Sequence, residues 1–427
     1  MKLKKFLALA VALTTALTFT VCLLAACGSS DDTSKAEAEQ TQSTTNNTEP
    51  DTEPETDKEP ETDEEWQEAM VKKALVSYGN TVMVQNVIKK AQAGDEVNIA
   101  YLGGSITEGF NAGANDCYAK LTFDHFAEKF GTGDNVKYHN AGIAGTPSQL
   151  GILRLDRDIL SADPDLVFIE FAVNDGSGAD YENAYESIVQ TLLKRNIAVV
   201  LLFAVTENGH SAQDYMKPIG EAYRLPMISY CDAVNYLREK GRITWQDFSD
   251  DDVHPDKRGH KMVADMINYY FDTVMDVEPE GEFMMPFETV YSPREIDAHM
   301  YENDTLTPTD LGSWSVGSDV GKFTSGWRHS ESSGNDPIVF EMDAKFVYLV
   351  YKQVATGNYG KIHIKVEIDG ELYDEKDHEV VDPSGWGNPI VLNIGMNPTT
   401  AHYRIELSMA EGDEDKQAQA LAFGYTE

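Results

Sequence analysis

Tyr101-Leu102-Gly103-Gly104-Ser105-Ile106-Thr107-Glu108-Gly109 is the stretch that decides the fold. Just ahead of it and into it, Val97, Ile99, Tyr101 and Leu102 form a short apolar run with a β-branched bias, which reads as a buried strand of an α/β sheet. Two glycines break the run and leave Ser105 at the strand's end, with a helical pattern soon after. A serine so placed stands clear of its own backbone, at the carboxyl edge where α/β proteins bind ligands. Taken alone, Gly-Gly-Ser is equally an ordinary turn, because glycine reaches positive φ at little cost. Three later stretches decide between the two.

Outward from this point, strands and helices alternate from Trp66 to about Asp276. Helical patterns fall near 118–129, 149–160, 181–194, 214–223 and 257–275, with strands near 136–139, 166–173, 197–205 and 227–230 between them. Ile197-Ala198-Val199-Val200-Leu201-Leu202-Phe203 is continuously apolar, as a parallel sheet covered on both faces requires. The pattern predicts a doubly wound, mostly parallel α/β domain over 66–276. After Asp276 the period changes to two: Ile362, Ile364, Val366 and Ile368 alternate with polar residues, and so do Tyr403, Ile405, Leu407 and Met409. Strands without intervening helices predict a C-terminal β-sandwich over 305–427, joined by a Pro-, Glu- and Met-rich connector at 277–304.

Four stretches of the α/β block carry side chains that make chemical sense together: Gly104-Ser105; the Gly-rich loop Asn140-Ala141-Gly142-Ile143-Ala144-Gly145-Thr146; Phe171-Ala172-Val173-Asn174-Asp175; and Asp250-Asp251-Asp252-Val253-His254-Pro255. The first three follow strands, so a parallel sheet collects them along one edge. A serine hydroxyl is a weak nucleophile until a base takes its proton, and His254 is suited to that near neutral pH. Asp251, three residues earlier, is the candidate that orients the base. The backbone N–H groups of Ser105 and Gly145 and the side-chain amide of Asn174 are candidate donors to an oxyanion.

This order of motifs resembles the SGNH (GDSL-like) hydrolase superfamily, over roughly 97–275. The resemblance implies Ser105, Asp251 and His254 as catalytic residues, and Ser105, Gly145 and Asn174 as the oxyanion hole. It also implies an SGNH, flavodoxin-like sheet and no cofactor. Two departures stand out: Gly-Gly-Ser-Ile in place of Gly-Asp-Ser-Leu, and Ala172 where the family has glycine. Gly142 shares the loop with Gly145, and the Gly-Thr pairing favours Gly145. His260, on the last helix, reads as a packing or capping residue, His125 and His139 as surface or core, and Asp175 as a carboxylate that fixes its turn. The triple aspartate lacks a spaced ligand set for calcium, so no metal is expected.

The sandwich carries Trp314, Trp327 and Trp386, each beside Gly or Ser. They read either as core or as platforms for sugar rings. The two-part layout is similar to bacterial carbohydrate esterases that join an SGNH domain to a jelly-roll accessory domain. That resemblance implies a serine esterase that removes acyl groups, acetyl above all, from polysaccharide through an acyl-enzyme. The alternatives are a lipase, a thioesterase or a peptidoglycan O-acetylesterase on the same residues, or a non-catalytic carbohydrate-binding lipoprotein. Since all four catalytic stretches precede residue 261, a chain ending near Pro279 is expected still to cleave a small activated ester.

The N-terminal residues have the form of an export signal: three lysines within Met1–Lys5, an apolar run over 6–24, then Leu24-Ala25-Ala26-Cys27. The ending resembles a bacterial lipobox, which implies cleavage of 1–26, lipidation of Cys27 and an extracytoplasmic protein anchored to the membrane only through lipid. Residues 27–65 read as a disordered, self-repelling tether, with 14 acidic residues against Lys35 and Lys58. The whole chain carries a net charge of −38. Such a surface disfavours nucleic acid and anionic membrane as partners and leaves neutral polysaccharide open. Cys117 and Cys231 are the cysteines left in the mature chain; they read as either a pair or two buried thiols. Nothing in the sequence specifies an oligomeric state.

Overall fold

The computed structural model describes residues 59–427; the signal, Cys27 and the tether up to residue 58 lie outside the described residues. The first helix, α1 (Asp63–Ala74), begins inside the last residues read as tether. Thr62 and Glu65 form a reciprocal capping box there, so the acidic run ends as a helix start. β1 (Leu75–Ser77) and α2 (Val82–Gln92) follow. The strands of the first sheet are then β2 (Val97–Gly103), β3 (Val136–Gly142), β4 (Leu166–Glu170), β5 (Ala198–Phe203) and β6 (Met227–Ser229), in the order β1-β6-β5-β4-β2-β3. All pairings are parallel except β1 with β6. The connection from β3 to β4 passes over β2, so the order reverses beside β2 and β4. A crevice opens at such a reversal, and Ser105 and Asn174 follow those two strands.

The helices are α3 (Ser105–Glu108), α4 (Tyr118–Phe130), α5 (Ser148–Leu153), α6 (Leu155–Asp158), α7 (Ala179–Lys194), α8 (Gln213–Ala222), α9 (Tyr230–Glu239) and α10 (Lys257–Thr273). The single helix expected over 149–160 is broken into α5 and α6. α9 has a moderately amphipathic pattern starting on the Ser229 cap, and sequence reading passed over it. In α7, Asn183, Glu186, Ser187 and Gln190 are buried although polar. The cause is the connector, whose amides at Val290, Tyr291 and Ser292 donate to Glu186 and Asn183.

The connector ends in a strand of its own, β7 (His299–Tyr301), which pairs with the last strand. The rest of the C-terminal domain is antiparallel: β8 (Ser315–Val316), β9 (Trp327–His329), β10 (Ile338–Val354), β11 (Ile362–Ile368), β12 (Glu371–His378), β13 (Trp386–Met409) and β14 (Ala418–Thr426). β10 bends over on itself. Phe340, in its first half, lies 4.7 Å from Phe423 between ring centroids, yet Phe423 pairs with Leu349 in its second half. Nine extended residues span about 30 Å, so that contact requires the two halves to face each other. The register shifts between Ala344 and Phe346 and between Val347 and Tyr348 mark the bend.

The two domains share one core. Val320, Phe323, Val350, Leu421 and Ala422 of the C-terminal domain belong to the same buried cluster as the α/β sheet. An added Cβ on Gly424 would stand 2.4 Å from Leu153 of α5. This alters the expectation for a chain cut near Pro279: the cut removes part of the α/β domain's own core. Cys117 and Cys231 are both buried and free.

Candidate active site

The Ser105 turn is built by close packing. β2 ends at Gly103, where a Cβ would meet Thr107 Oγ1 at 2.1 Å, and at Gly104 one would meet Asn174 Oδ1 at 2.2 Å. Only glycine lets the nucleophile turn and the Asn174 turn approach so closely, which is a stricter demand than a plain turn makes. Ser105 begins α3, so its N–H is one of the helix's unsatisfied donors. Among the described residues neither that N–H nor the N–H of Gly145 has a protein acceptor. Around Gly145 the other amides are engaged: Ile143 N with Gly103 O, Ala144 N with Glu108 Oε2 and Thr146 N with Ile143 O. The Asn174 Oδ1 is buried against Gly104, which leaves the Nδ2 donor on the open side. All three candidate donors are thus free.

His254 and Asp251 come from the loop between α9 and α10. His254 Nε2 lies 2.9 Å from Ser105 Oγ, and His254 Nδ1 lies 2.9 Å from Asp251 Oδ2. A carboxylate only accepts, so Nδ1 carries the proton and Nε2 is free to take one from the serine. Asp251 Oδ1 accepts from the backbone N–H groups of Val253 and His254 at 2.8 and 2.6 Å, an Asx turn that carries the ring to its place. Burial pushes the Asp251 carboxyl up, but the amides of His254 and Val253 and the His254 ring hold it below the ordinary carboxylate range. Neither Asp250 nor Asp252 bonds to the ring. The spacing of three selected Asp251 where charge alone did not.

Asn111, Trp245, Ser249 and Phe110 escaped the sequence reading, whereas His260 and Asp175 take the packing and turn-fixing places expected of them. Asn111, at φ 66°, donates from Nδ2 to Asp251 Oδ2 at 2.9 Å. Trp245 and Ser249 donate to the Asp251 backbone carbonyl. Phe110 packs on the His254 ring with centroids 4.5 Å apart. His260 is buried; its Nδ1 accepts from Tyr118 N at 3.1 Å and its Nε2 donates to Phe110 O at 3.3 Å. Burial pushes it down to about 4, so it stays neutral and anchors the loop that carries Phe110 and Asn111. The Asp175 carboxylate accepts from Ser148 N at 2.7 Å and from the Tyr215 hydroxyl, which ties the Asn174 turn to the end of the Gly145 loop.

The three tryptophans divide. Trp327 is fully buried between Phe340 and Phe423, and Trp314 is buried against His329, so neither offers a face to a sugar. The reading of these two as possible platforms is corrected: tertiary packing takes them into the sandwich core. Trp386 is 63% exposed. It stands over the Gly145 loop, where a Cβ on Gly145 would come 2.5 Å from its Cζ2. Glu108, Ile143 and Ala144 from one domain and Asp319, Lys322 and Trp386 from the other line a cleft of about 320 Å³ there.

Residues 101–262, within the α/β part of the chain, match the GDSL-like Lipase/Acylhydrolase family. The two-domain layout has its own match. A crystal structure of a two-domain esterase active on acetylated mannans, co-crystallized with mannopentaose, is similar at a TM-score of 0.70 and 25% identity, over 84% of this chain and 98% of that one. A second crystal structure of a two-domain esterase active on acetylated mannans has a TM-score of 0.72 at 24% identity, over 84% and 99%. No curated protein sequence matches the chain.

Proposed function

We propose that the protein is a serine esterase that removes small acyl groups, acetyl above all, from polysaccharide. Ser105 Oγ attacks the ester carbonyl as its proton passes to His254 Nε2. Asp251 holds the ring and offsets the charge it gains. The oxyanion is received by the N–H groups of Ser105 and Gly145 and by Asn174 Nδ2. Collapse expels the sugar hydroxyl, protonated by His254, and leaves acetyl-Ser105; water activated by the same ring then releases acetate. The observation that carries this reading is the Ser105–His254–Asp251 chain, with both links at 2.9 Å. The polysaccharide part is supported by the two-domain esterase of like architecture and by the exposed Trp386 over the Gly145 loop, an aromatic face of the kind that stacks on sugar rings.

The test is acetate release from acetylated mannan, xylan and peptidoglycan, beside hydrolysis of 4-nitrophenyl acetate. Ser105→Ala should abolish both hydrolysis and labelling by a serine-directed phosphonate, and an acetyl group trapped on wild-type Ser105 should be visible by mass spectrometry. Turnover of the small ester with no acetate from any polymer would sink the carbohydrate reading. We also propose that Cys27 is lipidated and holds the enzyme outside the cytoplasm. Incorporation of labelled fatty acid, lost in Cys27→Ser, tests this.

A further inference from the structure

Beneath the Ser105 turn lies a carboxyl with no part in that reaction. Glu170 ends β4, is fully buried, and pairs across the sheet with Gly103 at the end of β2. Thr107 Oγ1, two residues after Ser105 in α3, donates to Glu170 Oε2 at 3.2 Å and shares a second hydrogen bond of 2.8 Å with Tyr118. Among the described residues Glu170 Oε1 has no hydrogen-bond partner. The hydrogen bond between Glu170 and Thr107 therefore joins a residue four before Asn174 to a residue two after Ser105.

We propose that the Glu170 carboxyl is a positioning group that ties the Ser105 turn to the Asn174 turn, and so sets the distance between the nucleophile and the amide that receives the oxyanion. This rests on the roles given above to Ser105 and Asn174. Glycine at 103 and 104 lets the two turns meet but cannot hold them together, since it has no side chain; Glu170 supplies the missing link.

The surroundings favour its neutral form. The groups that face it are Thr107 from α3, Tyr118 from α4, Tyr185 from α7, Tyr230 from α9 and the Asp175 carboxyl. Burial pushes Glu170 up to about 7, and Asp175 adds to the effect. A neutral carboxyl still accepts the Thr107 hydroxyl at Oε2 and carries its own proton on Oε1, the oxygen that no protein donor reaches among the described residues. Ionised, it would set a negative charge behind the site where the oxyanion forms and work against it.

The experiment compares Glu170→Ala, Glu170→Gln and Thr107→Val with the wild type on 4-nitrophenyl acetate, together with phosphonate labelling of Ser105. Glu170→Ala should lower kcat at least tenfold, leave KM within twofold, and slow labelling in proportion. Glu170→Gln keeps the shape and the donor of the neutral acid, so it should retain at least a third of wild-type kcat at pH 6. Its activity relative to wild type should rise between pH 6 and pH 9, because only the wild type gains the charge. Should Glu170→Ala not fold, Thr107→Val carries the test, with a fall in kcat of at least threefold at unchanged KM expected. The proposal is overturned if a folded Glu170→Ala stays within twofold of wild type. It is equally overturned if Glu170→Gln at pH 6 is as impaired as Glu170→Ala, or if Glu170→Gln and Thr107→Val both match wild type at every pH. A wild-type protein that does not label at Ser105 would instead bring down the esterase reading itself.

Discussion

The two domains meet the cleft in different ways. On the α/β side the working groups are fixed from several directions: Asp251 accepts from Val253, His254 and Asn111, and Asn174 is pressed against Gly104 and tied through Asp175 to Ser148. On the sandwich side, Trp386 is held by its backbone, through Asn388 Oδ1 and the pairing with Val354, while its ring is mostly in solvent. Proton transfer and oxyanion binding tolerate little displacement. Stacking against a flat ring tolerates more. The contrast implies that damage on the α/β side falls on kcat, and damage on the sandwich side falls on KM for polymer.

The largest effect should come from Asn174→Ala, whose amide meets charge that exists only in the transition state. A loss of about 10²–10³ in kcat is expected, from comparable oxyanion donors, with KM little changed in steady-state kinetics. A raised KM at constant kcat would move Asn174 to the binding side of the comparison.

Gly145→Ala probes the point where the domains touch. Gly145 has φ 69°, and a Cβ there would collide with Trp386. A fall in kcat of about tenfold or more is expected, from strain in the left-handed region and a misplaced N–H. Adding Trp386→Ala removes the collision but not the strain, so the double variant should recover only part of the loss. Full recovery would show that the indole alone imposes the glycine.

Trp386→Ala should raise KM for acetylated polymer about five- to tenfold, in line with the roughly 1–1.5 kcal/mol of an aromatic contact. Its kcat on 4-nitrophenyl acetate should change less than about threefold. Equal loss on both substrates would assign Trp386 to shaping the Gly145 loop rather than to sugar binding.

The smallest effect separates the two histidines of the site. His260 is held near 4, below the ordinary 6.5, so the native state keeps it neutral while the unfolded chain protonates. Its contribution to stability is complete above pH 6.5 and is lost as the pH falls from 6.5 through 4. His260→Gln, which can accept from Tyr118 and donate to Phe110, should lose less melting temperature than wild type between pH 7.5 and pH 5. An identical loss in both proteins would remove His260 from the acid limb.

Much of this site could be read from the chain because its signals are local. Ser105, Gly145 and Asn174 each sit where an apolar run stops at polar or glycine residues, and Asp251 and His254 are separated by the spacing one Asx turn needs. Other features depend on what arrives from far away in sequence. Trp327 and Trp386 both sit beside glycine in the same domain, yet Phe340 and Phe423 close around the first while the second stays outside. Asn111 and Glu170 carry no motif; their roles follow from partners 140 and 63 residues away. The break between α5 and α6 and the strand β7 in the connector likewise follow from packing, not from periodicity.

The shared core sets the timetable of biosynthesis. A chain made from its N-terminus has produced every proposed catalytic group once residue 254 is joined. Yet Leu153 of α5 is covered by Gly424, and Leu421 and Ala422 complete the core, all on a strand made roughly 160 residues later. At about 5–20 residues per second, that delay lasts on the order of 10–30 s. During it the α/β domain has its chemistry but an uncovered apolar face. A nascent chain stalled before β14 should therefore bind a chaperone that recognises exposed apolar surface and should release it once β14 has been added.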